Sequence, residues 1–163
     1  MKKTILFIAF FIVAYNASSQ SKEETESWII KQIDEYKIPG NEDSNTNYYF
    51  ENGVLFYNWF FYKSNNLRSI QIKNIKNIKL VYSEEKKAIY ITLSCNTNKC
   101  CKYDYISAGG AENNKTEFED AFGIILEVEN SNLLERLNKA FKHLVSIYGG
   151  KATSTIKISK EPF

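Results

Sequence analysis

The sequence predicts an α+β fold. We expect a curved antiparallel sheet or partly open barrel of six to seven strands, with an N-terminal helix and a long C-terminal capping helix. Residues Asn130 to Gly150 alternate apolar and polar side chains with the period of an amphipathic helix. Before this helix, segments of period two are separated by short turns, and strands joined by tight turns pair antiparallel. The final helix would cover the apolar face of the sheet.

Residues 1–19 are predicted to be a cleaved secretory signal peptide. Lys2 and Lys3 precede an apolar run from Ile5 to Ala14, and small residues follow before Gln20. This run is about half as long as a membrane-spanning helix, so we expect no membrane span after cleavage, with a retained anchor as the alternative. The protein is therefore predicted to be periplasmic or secreted, with a single domain at residues 20–151 and a tail at residues 152–163.

The charge of the chain gives no reason to expect nucleic acid as a partner. Lys2 and Lys3 are among the 21 basic residues, so removal of the signal peptide leaves as many basic residues as the 19 acidic ones. Nucleic-acid-binding domains typically carry a basic face, which a balanced composition does not provide.

The first helix is predicted from Lys22 to Tyr36. Ser21 and Glu24 match a capping box, in which each side chain accepts a hydrogen bond from the backbone of the other residue. The sequence Ile38-Pro39-Gly40 is expected to end the helix.

A hairpin follows, with arms from Tyr48 to Glu51 and from Val54 to Tyr62. Asn52-Gly53 between the arms suits a type I′ turn. The second arm is almost continuously apolar or aromatic, which allows two interpretations: a core strand covered on both faces, or an aromatic binding surface. The residues of that possible surface are Tyr57, Trp59 and Phe61.

The next segments are predicted as a turn from Lys63 to Asn66, a strand from Arg68 to Lys73, a break from Asn74 to Asn77 and a strand from Ile78 to Tyr82. Isoleucine and lysine recur here every third residue. The lysines could form a basic ridge for an anionic partner, although a solvated edge that blocks aggregation is the simpler interpretation. These lysines are Lys73, Lys76 and Lys79.

A strand from Lys87 to Cys95 and a return strand from Cys101 to Ile106 are predicted to flank a four-residue loop, which would place Cys95 nearly opposite Cys100. A mobile loop from Ser107 to Glu117 and a last strand from Phe118 to Glu129 lead into the C-terminal helix. Asn130 and Ser131 are suitable N-cap residues for that helix, and Gly149 and Gly150 suit its C-terminal end. Thr155 to Ile158 could add a short edge strand.

Three cysteines in an exported chain indicate either one disulfide and one free thiol or no disulfide at all. We expect Cys95 to pair with Cys100 or Cys101, because a bridge between the two adjacent cysteines would force a strained ring. Adjacent cysteines also point to opposite faces of a strand, which disfavours a tetrahedral metal site that includes both of them.

In the order of its elements the chain resembles the pleckstrin-homology-like superfold, over roughly Tyr48 to Gly150. The resemblance implies a curved antiparallel barrel closed by the C-terminal helix. Lipid-binding members carry clustered lysine and arginine around the first hairpin loop, whereas here that loop reads Glu51-Asn52-Gly53, so lipid binding is not implied. The chain is also similar to small exported bacterial proteins that end in a helix such as Ala140 to Tyr148, and this similarity implies no activity.

The sequence shows no catalytic cluster and no cofactor or metal motif. The single histidine, His143, lies off the apolar stripe of the last helix, and the acidic residues are scattered. Our main hypothesis is a non-catalytic exported domain that binds a protein, peptide or envelope component. The alternative is a thiol-based redox or metal-binding protein that uses Cys95, Cys100 and Cys101.

Overall fold

The computed structural model describes residues 20–38, 46–61, 64–96, 99–107 and 113–160, which contain two helices and nine strands. The predicted signal peptide and the glycines of the predicted mobile loop, Gly109 and Gly110, lie outside these residues. The elements are α1 (Lys22–Tyr36), β1 (Thr46–Glu51), β2 (Val54–Phe61), β3 (Ser64–Gln71), a 3₁₀ turn (Ile72–Asn74), β4 (Asn77–Ser83), β5 (Ala88–Ser94), β6 (Cys101–Ser107), β7 (Lys115–Glu119), β8 (Ala121–Glu127), α2 (Leu133–Ile147) and β9 (Thr153–Ser159).

The strands form two open sheets. One has five strands in the order β1-β2-β3-β6-β7, and the other has four in the order β8-β5-β4-β9. Neighbouring strands are antiparallel except for β4 and β9, which are parallel. The predicted α+β class is confirmed. The single sheet or barrel of six to seven strands is wrong in detail, because successive strands change from one sheet to the other.

Two elements follow directly from local sequence signals. The predicted bounds of α1 are confirmed, and Ser21 and Glu24 form the capping box. The turn between β1 and β2 has left-handed backbone at Asn52 (φ 49°) and Gly53 (φ 77°), as a type I′ turn requires. Gly53 also lies against the ring of Tyr148, where a Cβ atom would come within 2.6 Å of the ring carbon Cε1.

The C-terminal helix α2 buries one apolar stripe, as predicted. Its N-cap is Asn132 rather than Asn130 or Ser131, and the N–H of Asn132 donates to Oδ1 of Asn130 at 3.0 Å. Gly149 has a φ of 77° and provides the left-handed residue after the helix. The buried residues are Leu133, Leu134, Leu137, Ala140, Phe141, Leu144 and Val145.

Three strand predictions are corrected. Ser64 to Asn66 are the first residues of β3 rather than part of a turn. The predicted last strand is divided at Asp120 into β7 and β8, which belong to different sheets. The tail forms β9, which is longer than Thr155 to Ile158 and pairs in parallel with β4.

The three-residue period after β3 has a simple structural cause. A 3₁₀ turn has three residues per turn, and the chain then extends into β4. Ile72, Ile75 and Ile78 are all fully buried as a result.

The core lies between the two sheets and the two helices. Helix α2 packs on β4, β9 and the 3₁₀ turn, whereas α1 packs on α2, β1 and β8. Side-chain contacts also join the two helices: Tyr148 donates a hydrogen bond to Glu26, and the Arg136 guanidinium lies 5.2 Å from the centre of the Trp28 ring. No helix in the part of the chain that the structure describes is long and apolar enough to cross a membrane.

Candidate binding surface on the five-stranded sheet

The inner face of the five-stranded sheet, which carries Leu55 and Ile70, passes from core to solvent within three rows of residues. The row nearest the β1–β2 turn is fully buried, and the next two rows contain half-buried side chains. The strand register sets these rows as Leu55–Ile70–Cys101, Tyr57–Arg68–Tyr103 and Trp59–Asn66–Tyr105. The sheet therefore extends past the core that covers it.

Four stacked rings and one guanidinium form the main feature of this face. The ring centres of Tyr48 and Tyr57 are 4.3 Å apart, those of Tyr57 and Trp59 are 4.8 Å apart, and those of Trp59 and Tyr103 are 5.6 Å apart. Together with Arg68, these residues are called the aromatic cluster below. Tyr48 is buried and makes an edge contact with Phe122 of the other sheet, so the cluster is anchored in the core at one end.

Arg68 provides the charge of the cluster. Its guanidinium lies 5.4 Å from the centre of the Trp59 ring and 5.6 Å from that of Tyr103, within the range of a cation–π interaction. It also pairs with Oε1 of Glu119 at 2.9 Å. Burial raises the pKa values of Tyr57 and Tyr103, and Arg68 opposes this shift. Both phenols therefore remain protonated hydrogen-bond donors at neutral pH.

The rings of Trp59 and Tyr103 pack together above the buried side-chain amide of Asn66. Trp59 and Tyr103 stand on the strands either side of β3, which are about 10 Å apart in a regular sheet, so a ring distance of 5.6 Å brings both over β3. Asn66 lies between them on β3 and is only 4% exposed. Its Oδ1 accepts from the Tyr103 hydroxyl at 2.9 Å, and its Nδ2 donates to Oγ of Ser64 at 3.2 Å. This network holds the cluster in one arrangement.

The structure brings together two of the three aromatic residues that the sequence singled out. Tyr57 and Trp59 belong to the cluster, and the side chain of Phe61 lies outside the described part of the chain. Sequence analysis missed Tyr48, Arg68 and Tyr103. Alternation along each strand predicts which residues share a face. Only the strand order shows that β1 and β3 lie on either side of β2 and that β6 lies next to β3.

The three lysines of the predicted basic ridge lie in different local structures. Lys73 is exposed in the 3₁₀ turn, Lys76 is partly buried after it, and Lys79 is exposed on β4. Because β4 pairs with both β5 and β9, Lys79 is not on the edge of its sheet, and the expectation of a solvated edge is wrong for this strand.

The cysteines connect the two sheets. Cys95, after β5, forms a disulfide with Cys100, before β6, with Cα atoms 6.1 Å apart. The disulfide confirms one of the two predicted pairs. The predicted hairpin between these strands is wrong, because β5 and β6 belong to different sheets. Cys101 is free and fully buried, and burial raises the pKa of its thiol to about 11.

The remaining candidate groups do not assemble into a site. His143 is half-buried, and its Nε2 lies 3.2 Å from the carbonyl oxygen of Gln20. Across residues 20–160, apart from the gaps given above, no group of three or more histidine, cysteine, aspartate or glutamate side chains is placed to hold a metal ion.

No protein-family model matches the chain, and no curated protein or solved structure gives a significant match.

Proposed function

We propose that this protein is an exported, non-catalytic binding domain, and that it holds a protein or peptide partner against the aromatic cluster. The observation that carries the proposal is a partly exposed group of Tyr57, Trp59, Arg68 and Tyr103 at the margin of the core. Tyrosine, tryptophan and arginine are the residues that contribute most binding energy in protein interfaces. They combine a large apolar body with a polar or charged tip.

The cluster is also preorganised, which reduces the entropy that a partner must overcome on binding. The rings stack on one another, Asn66 is hydrogen-bonded to Tyr103, and Arg68 is paired with Glu119. Because the ring faces are used within the cluster, a partner would meet ring edges, hydroxyl groups and the guanidinium. Such a surface suits a polypeptide with mixed apolar and polar groups.

Export is part of the proposal and rests on the sequence of residues 1–19. The disulfide between Cys95 and Cys100 is consistent with an oxidising compartment. The thiol-based alternative has weaker support, because Cys101 is buried and its pKa of about 11 leaves very little thiolate at neutral pH.

The resemblance to the pleckstrin-homology-like superfold stays a prediction. The packing of α2 on the four-stranded sheet supports it, and the presence of nine strands in two sheets departs from the expected six to seven. The first hairpin loop still has no cluster of basic residues, so we do not propose lipid binding.

Site-specific photo-cross-linking tests the proposed function. A benzoylphenylalanine at position 105 would lie beside Asn66 and Trp59 in the third row while leaving the cluster intact. In the native host, we expect a discrete adduct with a partner protein. The adduct should disappear in the Trp59→Ala variant and persist in the Phe118→Ala variant, which removes an exposed ring from the opposite face. Loss in neither variant, or no adduct, would contradict the proposal.

A further inference from the structure

The outer face of the same sheet carries a second, chemically different feature. A groove of about 550 Å³ lies on strands β1, β2 and β3. Four residues of the outer face line it, Asn47, Asn58, Phe60 and Asn65, and Thr46 also borders it, although its pairing with Trp59 places its side chain on the inner face. All of them are uncharged, and three are asparagines. The groove therefore differs from the aromatic cluster, which lies on the inner face and includes the charged Arg68, paired with Glu119.

The register of the sheet explains how these side chains come together. Asn47 and Asn58 are direct cross-strand partners on β1 and β2, and Phe60 and Asn65 are partners on β2 and β3. Because Asn58 and Phe60 are two residues apart on one strand, they share a face. The sheet thus places carboxamide groups beside a phenyl ring that is 49% exposed.

One of the amides lacks an internal partner. Oδ1 of Asn58 is buried, and the structure gives it no hydrogen bond among the described residues. An unsatisfied buried acceptor costs about 1 to 3 kcal/mol, and native proteins usually satisfy such groups. This oxygen is not accessible in the present arrangement, so a hydroxyl or N–H donor of a ligand would reach it only after the carboxamide of Asn58 rotates toward the groove.

The lining indicates the class of ligand. Among the described residues that line the groove there is no lysine or arginine for a phosphate or carboxylate and no carboxylate for a cation. Each carboxamide offers one acceptor and two N–H donors, which match the hydroxyl groups of a sugar. The exposed face of Phe60 can pack against the C–H bonds on one side of a pyranose ring.

We propose that this groove binds a neutral saccharide. The site goes beyond the proposed function, because it uses the opposite face of β2 and a different ligand chemistry. Phe60 would provide the apolar contact, and Asn47, Asn58 and Asn65 would provide the hydrogen bonds. Trp59 and Phe60 are adjacent in sequence and lie on opposite faces, so the two sites can be altered separately.

The test has two steps and uses the folded, disulfide-bonded protein. The protein is first applied to an array of neutral and charged glycans, together with uncharged glycine- and alanine-containing peptides. The saccharide that binds is then titrated while the side-chain amide signals of Asn47, Asn58 and Asn65 are followed by nuclear magnetic resonance. We expect binding to neutral glycans and shifts in these signals.

The variants assign the binding to the groove. Phe60→Ala should raise the dissociation constant about tenfold, as expected for loss of one central contact. Phe118→Ala is the matched control, because this ring is 54% exposed on the same face but lies on β7. It should change the constant less than twofold, and so should Trp59→Ala. Binding to charged glycans only, to the peptides only or to none of the probes would overturn the proposal. Equal effects of Phe60→Ala and Phe118→Ala would also overturn it.

Discussion

The two sheets of this protein are built from similar alternating strands, but they are covered very differently. The inner face of the four-stranded sheet is closed by the helices, and Leu80, Ile91 and Ile124 are at most 1% exposed along one continuous row. On the five-stranded sheet, burial is complete only in the row that contains Leu55 and Ile70. The two sheets therefore have different roles. The four-stranded sheet provides most of the core, and the five-stranded sheet extends beyond the core and exposes side chains to solvent.

The side-chain types agree with this division. Aliphatic residues dominate the inner face of the four-stranded sheet, and the hydroxyl of buried Tyr82 donates a hydrogen bond to the carbonyl oxygen of Glu129. The exposed rows of the five-stranded sheet carry tyrosine, tryptophan, arginine and asparagine, which combine apolar surface with hydrogen-bonding groups. Residues of this kind are stable at the margin between core and solvent and remain available to a ligand.

The largest expected effect contrasts one ring from each sheet. Phe122 of β8 is fully buried, so Phe122→Ala should lower the free energy of unfolding by about 3 to 5 kcal/mol. Trp59 is half-buried and stacks on two rings, so Trp59→Ala should cost only about 1 to 2 kcal/mol. Urea denaturation of both variants measures the difference. A larger loss of unfolding free energy for Trp59→Ala than for Phe122→Ala would contradict the proposed difference between the sheets.

The second prediction concerns Cys101, in the buried row of the five-stranded sheet. Burial raises its pKa from 9.0 to about 11. Between these values the thiol ionises in the unfolded chain but not in the folded one, so stability should fall as pH rises from 9 to 11, by about 2 kcal/mol for this group. Below pH 9 the contribution is fully present. Urea denaturation at pH 8 and at pH 10.5 measures the decrease in the free energy of unfolding between these pH values. This decrease should be smaller in the Cys101→Ala variant than in the wild type, and an equal decrease would contradict the prediction.

The third prediction addresses the link between the sheets. The disulfide joins Cys95 after β5 to Cys100 before β6 and closes a short loop. The chain-entropy model gives such a loop about 2 kcal/mol of stabilisation. The double variant Cys95→Ser, Cys100→Ser should therefore fold and lose about this amount in thermal or urea unfolding. Failure to fold would show that the disulfide holds the two sheets together rather than fastening one loop.

The smallest expected effects are those of replacing one glycine near each sheet by alanine. Gly53, beside the five-stranded sheet, has a φ of 77°, and an added Cβ would lie 2.6 Å from the Tyr148 ring. Gly53→Ala should therefore cost about 1 to 2 kcal/mol. Gly123 in β8 has no atom within 4 Å of an added Cβ. Gly123→Ala should be neutral or stabilise by up to about 1 kcal/mol, because it restricts the unfolded chain. Both values come from urea midpoints, and the reverse order would contradict the local geometry.

Local signals in the sequence predict much of the fold. The capping box of Ser21 and Glu24, the Asn52-Gly53 turn and the apolar stripe of α2 each act within a few residues, so α1, the first hairpin and α2 are correctly placed. Such local signals do not predict the break at Asp120 between β7 and β8. Asp120 accepts a hydrogen bond from the backbone N–H of Lys99, which is distant in sequence, and the chain changes sheets at this point.

The aromatic cluster was only partly predictable for the same reason. The period of β2 places Tyr57 and Trp59 on one face, but Arg68 and Tyr103 join them through strand pairing that the sequence does not display. The predicted turn from Lys63 to Asn66 ends on an asparagine, a residue that favours turns. The amide of Asn66 instead bonds to Tyr103 across the sheet, a tertiary contact that outweighs the local preference.

Native-state hydrogen exchange tests the division between the two sheets most directly. If the four-stranded sheet provides the core, the amides of Leu80, Ile91 and Ile124 should exchange only through global unfolding. The strand amides of Trp59 and Tyr103 should exchange through a smaller opening, at a lower free energy. Equal protection in both sheets, or stronger protection at Trp59 and Tyr103, would contradict the account.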